Sequence, residues 1–449
     1  MSTAPTMTEG SIWKTLVRFA LPLFLGNLFQ QLYNVADSFV VGNFCGDEAL
    51  AAVSSSGSLC HLLIGFFQGV FVGAGVVISH RCGAKDEEGV DRAIHTGLLF
   101  ALAIGTVLSI LGICFTPTIL GWMGTPATVM PNSVLYFRIY CAGLLGLVLY
   151  NTANGIFQAM GDSKRPLRYL VISSLTNVVL DLLFVVVLGM GVAGAALGTI
   201  LSQGLSAFLG LRYLFSGKFV VRLRPDHLRV HLPTLAALFR VGLPSGAQNS
   251  LISIANLVVQ TNINAFGDQA MAGCGSYSKL EGFVFLPIVS LTMALTTFTG
   301  QNLGARRLDR CRRGARTGIL MAVAIAELFG ILFWLFAPAL VGLFSRSPEV
   351  IAFGVRQART ESLFYCLLAF AHAASAVLRG AGKTVIPMGV LMGCWCLLRI
   401  VYITLMVRAV PNITVVFSAY PLTWFASCLF LAWFLFRGSW LRDGAKTVL

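Results

Sequence analysis

The sequence predicts an all-α membrane protein of twelve transmembrane helices, built as two six-helix parallel repeats, and three observations carry that prediction. Of 449 residues, 57% are hydrophobic and only 11% charged, with a mean hydropathy of +0.81. A soluble domain carries about 25% charged residues, so lipid is this chain's main solvent. Apolar runs recur that reach the about 20 residues needed to cross a bilayer. Finally, landmarks of the first half return, in order, in the second half.

The stretch from Leu16 to Gly46 organises the rest. It holds Pro22 a third of the way along and one carboxylate, Asp37, near its far end. An acid inside a span costs about 3 kcal/mol or more, so it belongs in a protein-lined cavity with a task to perform. Proline inside the helix removes a backbone hydrogen bond and leaves a kink or hinge. Together with the returning landmarks, these features read as a two-lobed membrane transporter.

The spans run near residues 15–41, 49–78, 93–116, 133–160, 168–189 and 192–215, then 235–263, 271–299, 315–341, 351–378, 386–409 and 413–437. With the N-terminus inside, 25 Lys and Arg fall on cytoplasmic segments, including Lys14, Arg18, Lys85 and the Arg306–Arg316 loop. Only Arg346 and Arg408 fall on the opposite side. The positive-inside rule then places both termini in the cytoplasm. The same placement excludes nucleic acid as a partner. The net charge is +14, but the basic residues alternate with spans and form no continuous patch.

Leu16-x-Arg18-x-x-Leu21-Pro22 recurs as Leu238-x-Arg240-x-x-Leu243-Pro244, 222 residues on. Gly46-Asp47-Glu48-Ala49-Leu50-Ala51 is echoed by Gly267-Asp268-Gln269-Ala270-Met271-Ala272, Gly83-Ala84-Lys85 by Gly304-Ala305-Arg306, and Gly161-x-x-Lys164 by Gly380-x-x-Lys383. Six spans per copy give both copies one topology, which makes them parallel repeats about an axis along the membrane normal. A substrate site is expected where the halves meet. The expected division is an N-terminal tail over 1–14, a first lobe over 15–217, a linker over 218–234, a second lobe over 235–437 and a C-terminal tail over 438–449. Two fused lobes remove the need for a dimer, so a monomer is expected.

The eleven cysteines lie mostly in apolar runs, where Cys behaves as a small hydrophobe. The close pair Cys394 and Cys396 has no His at zinc-ligand spacing, and no metal site or cofactor is expected. The N-terminus lacks the cationic region and cleavage site of a signal peptide, so the first hydrophobic segment is expected to stay.

Acids within or at the ends of spans are Asp37, Asp181, Glu281, Glu327 and Glu361. Asn177 and Asp181 are four residues apart and share a helix face. A tight Gly189–Gly194 turn folds the sixth helix back on the fifth, and Asp181 and Thr199 each lie about 10–12 Å from it. If the first helix packs beside them, Asp37, Asn177, Asp181 and Thr199 form an oxygen-rich cluster. Two ionised carboxylates repel each other in low dielectric, so the cluster holds either a proton or a hard cation such as Na⁺. Against this stands a purely structural polar network. Pro22 offers a mechanical output, set against a static kink. Glu281, Glu327 and Glu361 have no comparable partners at helical spacing and read as helix-end or paired residues. His61 and His372 read as satisfied interior residues, and Arg399 needs a partner that the sequence does not name.

The pattern Leu21-Pro22 … Tyr33-Asn34-x-x-Asp37-x-x-x-Val41-Gly42 resembles the multidrug and toxic compound extrusion (MATE) transporters. Gly46-x-x-Ala49-x-Ala51-Ala52, Gln158-Ala159-Met160-Gly161-Asp162 and Asn177-x-x-x-Asp181 extend the likeness over nearly the whole chain. The resemblance implies a V-shaped, two-lobed antiporter that expels organic cations and drugs against inward H⁺ or Na⁺. It also implies that Pro22, Tyr33, Asp37, Asn151, Asn177, Asp181 and Thr199 bind the coupling cation or line the cavity. The NorM-like branch adds a Glu in the seventh helix and an Asp in the tenth. This chain has neither, so coupling is expected to rest on the first-lobe acids, as in the DinF-like and MepA-like branch.

The expected protein is therefore a transporter and not an enzyme, since no HExxH, GxSxG or clustered Cys and His occurs. It is a bacterial inner-membrane antiporter for cationic amphipathic drugs, surrounded by membrane lipid. The alternative is a lipid-linked oligosaccharide or lipid flippase of the same superfamily, for which more cationic residues are expected in the cavity.

Overall fold

The structure is a computed structural model that describes residues 7–44, 65, 68–217, 223, 229–438 and 440–441. The Gly46–Ala52 landmark, the start of the second span, His61, most of the 218–234 linker and the end of the C-terminal tail lie outside the described residues.

Apolar periodicity gives way to near-continuous apolar runs, and these fold into twelve long helical segments among the described residues. They are α1 (Ile12–Phe44), α2 (residues 68–83), α3 (Glu87–Trp122), α4 (Met130–Ala142 and Leu144–Ala159), α5 (Lys164–Asp181, continuing as a π-helix over Leu182–Val187) and α6 (Gly191–Phe215). The second half repeats the series as α7 (Leu232–Asn264), α8 (Asp268–Gly304), α9 (Leu308–Gly342), α10 (Pro348–Glu361 and Tyr365–Gly380, joined by a 3₁₀ turn), α11 (Val385–Leu391, a π-helix over Met392–Leu398, and Arg399–Ala409) and α12 (Ile413–Arg437). Among the described residues, ten of these segments are long and apolar enough to cross a membrane, counting as one the two parts of α4, which bend by 47°.

Helix α5 is polar inside and apolar outside, the reverse of a helix in a soluble bundle. On α5 the buried residues include Ser173, Ser174, Asn177 and Asp181, while Leu175 and Val179 are 63% and 62% exposed. That pattern is stable only with hydrocarbon around it.

The described chain packs as two units. One runs from Leu25 to Arg240, and the other joins Met7–Phe24 to Val241–Leu449. Helix α1 therefore contributes to both, and the change falls two residues after Pro22. In the first unit Val40 of α1 is buried with Tyr136, Val185, Val192, Ala195 and Ala196. Ser173 donates to the Ser202 carbonyl at 2.8 Å and Ser206 to the Tyr169 carbonyl at 2.9 Å, which pins α5 to α6. In the second unit Leu16, Phe19, Ala20 and Leu23 join the main core with Val284, Ile288 and Leu291 of α8.

The repeat is written in the backbone as well as in the sequence. Lys85 and Arg306, 221 residues apart, are the two described non-glycine residues with positive φ, at 57° and 56°. Each ends the turn after its Gly-Ala landmark, a conformation L-residues adopt at a cost.

Candidate functional site

The first unit brings the acid of α1 to the acid of α5. Burial of Val40 against α4, α5 and α6 places Asp37, three residues earlier on the same face, toward Asp181 and Thr199. The Gly189–Gly191 turn sets the depth of the two helices, both glycines adopting left-handed φ of 63° and 55°.

Four of the expected residues then converge, and Tyr33 joins them. Asp181, Asn177 and Thr199 are 1%, 1% and 5% exposed. The Asp37 and Asp181 carboxyls lie side by side, close enough to share a hydrogen. A carboxyl–carboxyl hydrogen bond exists only when one partner carries a proton. The other Asp37 oxygen, Oδ1, is buried with no hydrogen-bond partner among the described residues. Asn177 is oriented by its neighbours. With Nδ2 donating to Asp181 Oδ2 at 2.8 Å, its Oδ1 accepts the Thr199 backbone N–H at 3.2 Å, and both ends of the amide are satisfied. The Tyr33 hydroxyl lies near Thr199 and beside both acids. The result is two carboxyls, an amide, a hydroxyl and a phenol facing one another, with Asn177, Asp181 and Thr199 buried and Asp37 and Tyr33 half-buried.

Gly198 is a member of this site that sequence reasoning did not single out. A Cβ there would collide with Asp181 Oδ1, so the glycine of α6 is what lets the α5 carboxyl lie flat against its backbone. Only the close approach of the two helices reveals it. Asn151 stands apart: its side chain donates to the Leu147 carbonyl at 2.9 Å, one turn back in α4. Pro22 is half-buried in α1, fifteen residues or about 22 Å of helix axis from Asp37. It works at a distance from the acids or not at all.

Two other sequence readings need correction, and the partners of Arg399 can be named. Glu361 does have a partner at helical spacing, because Gln357 Nε2 donates to its Oε1 at 2.9 Å. Arg399 is held by Thr423 Oγ1 at 3.1 Å and Asn256 Oδ1 at 3.4 Å and lies over the Tyr420 ring at 4.3 Å. His372 is not a satisfied interior histidine. It packs edge-on against Phe285 and Trp395, and its Nε2 has no hydrogen-bond partner among the described residues.

A duplicated bundle of apolar helices with paired buried acids defines a multi-pass membrane transporter. The family model MatE matches it twice, over residues 22–183 and 244–405, and the chain belongs to that family of transporters, not to an enzyme family. The two matches start at Pro22 and Pro244, the prolines that anchor the sequence repeat. The chain is 31% identical over 389 residues to the probable multidrug resistance protein YoeA of Bacillus subtilis, covering 85% of this chain and 84% of that one. It is 22% identical over 346 residues to the multidrug export protein MepA of Staphylococcus haemolyticus, covering 76% of each. A solved structure described as the outward-facing conformation of a multidrug resistance MATE transporter superposes with a TM-score of 0.92 at 26% identity, over 99% of both chains.

Proposed function

We propose that this protein is a cation-coupled antiporter that exports cationic amphipathic drugs across the bacterial inner membrane, with both termini in the cytoplasm. The observation that carries the reading is the buried Asp37–Asp181 pair with its amide, hydroxyl and phenol ligands. Two carboxyls out of water need a positive charge between them, and the charge that satisfies them is H⁺ or Na⁺. The names of the relatives supply the substrate class, since YoeA and MepA are described as multidrug proteins.

The steps follow from the residues. From the outside, the cation enters the pair at the free Asp37 oxygen. Its arrival removes the repulsion between the carboxyls and lets α1 sit closer to α5 and α6. That movement bends α1 around Pro22, the point near which the helix leaves one packing unit for the other. Substrate held by the ionised acids loses its counter-charge and departs. Loss of the cation to the inside restores the ionised pair.

The test is dye movement in vesicles loaded with a cationic dye under either a pH or a Na⁺ gradient. Wild type is expected to move dye under one of them, and Asp37→Asn, which keeps the size, is expected not to. The substitution removes the negative charge and the exchangeable proton while leaving an oxygen able to touch a cation, so equal movement by both proteins under both gradients refutes the coupling role.

A further inference from the structure

The second unit contains a buried polar chain that the acid pair of the first unit does not explain. Glu361, Tyr277 and Tyr365 have no exposed surface, and Arg399 is 2% exposed. Glu281 is half-buried and is the one acid of the group with surface of its own. The links are continuous. The Tyr365 hydroxyl lies against the Glu281 carboxyl, close enough to exchange a hydrogen with it. Tyr365 and Tyr277 share a hydroxyl–hydroxyl bond of 2.6 Å. Tyr277 reaches Glu361 Oε2 at 3.4 Å. The four side chains come from α8 (Tyr277, Glu281) and from both sides of the break in α10 (Glu361, Tyr365).

Counting hydrogens decides the state of this chain. Joining all three oxygen-to-oxygen contacts by hydrogen bonds takes three hydrogens. Each tyrosine brings one and an ionised carboxylate brings none, so the third must sit on a glutamic acid. Counting charge gives the same answer. Glu281, Glu361 and Arg399 sum to −1 when both acids are ionised and to zero when one is protonated, and net charge away from water is what a membrane interior penalises.

We infer that Glu281, Tyr365, Tyr277 and Glu361 form a second proton-binding site, a relay that holds one proton and passes it between the partly exposed Glu281 and the fully buried Glu361. With the proton on Glu281, its O–H donates to Tyr365, Tyr365 to Tyr277 and Tyr277 to Glu361. Transfer moves three hydrogens by one link each: Glu281 to Tyr365, Tyr365 to Tyr277 and Tyr277 to Glu361. Glu281 ends ionised, Glu361 ends protonated, and all three bonds point the other way. No proton is gained or lost.

The surroundings suit a proton and not a metal ion. Arg399 supplies a fixed positive charge, itself held by Thr423, Asn256 and the Tyr420 ring. Gln357 steadies Glu361 Oε1. The thiols of Cys274 and Cys396 and the Tyr420 phenol complete the titratable groups that face the acids and Arg399. Two buried polar atoms at the break, Ser362 Oγ and Gln357 Oε1, have no partner among the described residues and are free to take new bonds when the relay reverses. Glu327 of α9 accepts the Cys366 backbone N–H at 3.1 Å, capping the second part of α10. The relay thus straddles a discontinuity in a spanning helix, the kind of place where transporters put ion sites.

The experiment is infrared spectroscopy of the protein in liposomes, in an Asp37→Asn/Asp181→Asn background so that the first-unit pair contributes no protonated carboxyl. A C=O band of one protonated carboxyl that shifts in D₂O is expected at neutral pH. Because Gln supplies the missing hydrogen as the protonated acid does, either Glu281→Gln or Glu361→Gln alone is expected to abolish the whole band. Tyr365→Phe, which removes one oxygen and keeps the ring, is expected to retain the band and slow its exchange with D₂O severalfold, a readout that a merely structural tyrosine would not move. No band in the background protein, a band that survives both Gln substitutions, or unchanged exchange in Tyr365→Phe overturns the inference. None of these outcomes depends on whether Asp37 couples transport, which the dye assay tests separately.

Discussion

Gly198→Ala is the smallest change that tests whether the first-unit acids act as a pair. The added methyl would collide with Asp181 Oδ1, with Cγ at 3.3 Å and the Asp181 backbone N at 3.5 Å. The backbone of α5 is pinned by the Ser173–Ser202 and Ser206–Tyr169 bonds, so the carboxyl must swing away. Swinging it breaks the 2.8 Å bond from Asn177, worth roughly 1.5–3 kcal/mol for a charged acceptor. Alanine returns up to about 1 kcal/mol of helix propensity over glycine. The net cost is roughly 1–2 kcal/mol, drawn from the site itself. At about 1.4 kcal/mol per factor of ten, the driving-cation concentration for half-maximal dye export should rise by about tenfold, with little change in expression. Gly204→Ala is the matched control, on the same helix with nothing within 4 Å of the new Cβ, and it should be neutral or slightly stabilising. If the two variants export dye with the same cation dependence, the close approach of α6 to Asp181 is irrelevant to function and the pair reading fails.

Three further outcomes are expected. Arg399→Met leaves Glu281 and Glu361 without their fixed counter-charge and should destabilise the protein by about 3–5 kcal/mol, whereas adding Glu361→Gln should recover part of that loss in a thermal-melt double-mutant cycle; additive losses refute the coupling. Burial pushes the Asp86 carboxyl up, but the Gly89 N–H at the start of α3 and the Arg81 guanidinium outweigh it and hold the group below its ordinary value. A depressed folded value means stability that is present above the unfolded pKa of about 3.9 and lost as pH falls through the folded value, so Asp86→Asn should cost about 0.5–1 kcal/mol at neutral pH after screening and nothing at low pH. Arg310 donates to the carbonyls of Met7, Glu9 and Gly10 at 2.6–3.3 Å, and Arg310→Ala should release the segment before α1, read by mass spectrometry as faster protease cleavage there; an unchanged rate refutes the anchor.

What was legible in the sequence was whatever stood out against lipid. Asp37 and Asp181 are visible because an acid in an apolar run needs a reason. Asn177 is visible because it lies one helical turn from Asp181, and Thr199 because a short turn fixes its depth. The doubling was legible because glycines and prolines with fixed backbone roles survive divergence, as Lys85 and Arg306 show in their matched φ. Glu281, Glu361 and Arg399 were visible as charges but not as a group. The three sit on α8, α10 and α11 and their partners on α7, α8, α10 and α12, and no spacing rule within one helix predicts which faces of different helices meet. The sequence marks the segment before α1 only as an N-terminal tail, yet Met7 is 2% exposed in the second-unit core, and its N–H donates to Gln301 at 2.8 Å. Its anchors lie some 300 residues away, beyond the reach of any local pattern.

The two units started from one bundle and solved the same electrostatic problem in different ways. In this region the repeat runs 219 residues apart, from Gly161 to Gly380 and from Lys164 to Lys383, so the counterpart of Asp181 is Ile400, the neighbour of Arg399. A helix that carries an acid in the first unit carries a base in the second, and each lies beside a π-helical stretch, Leu182–Val187 in one and Met392–Leu398 in the other. The charges left over follow from that exchange. Two acids with no fixed base in their cluster need a mobile positive charge, and the amide, hydroxyl and phenol around Asp37 and Asp181 can surround either a proton or a small metal ion. Two acids with a fixed guanidinium nearby lack only one charge, and their oxygens are already linked through two tyrosines. A bare cation there would face Arg399 and would have to break that chain, whereas a proton completes it. On the reading proposed above, the first unit accepts H⁺ or Na⁺ and the second only H⁺, so replacing Na⁺ with a larger alkali cation should alter the first site alone.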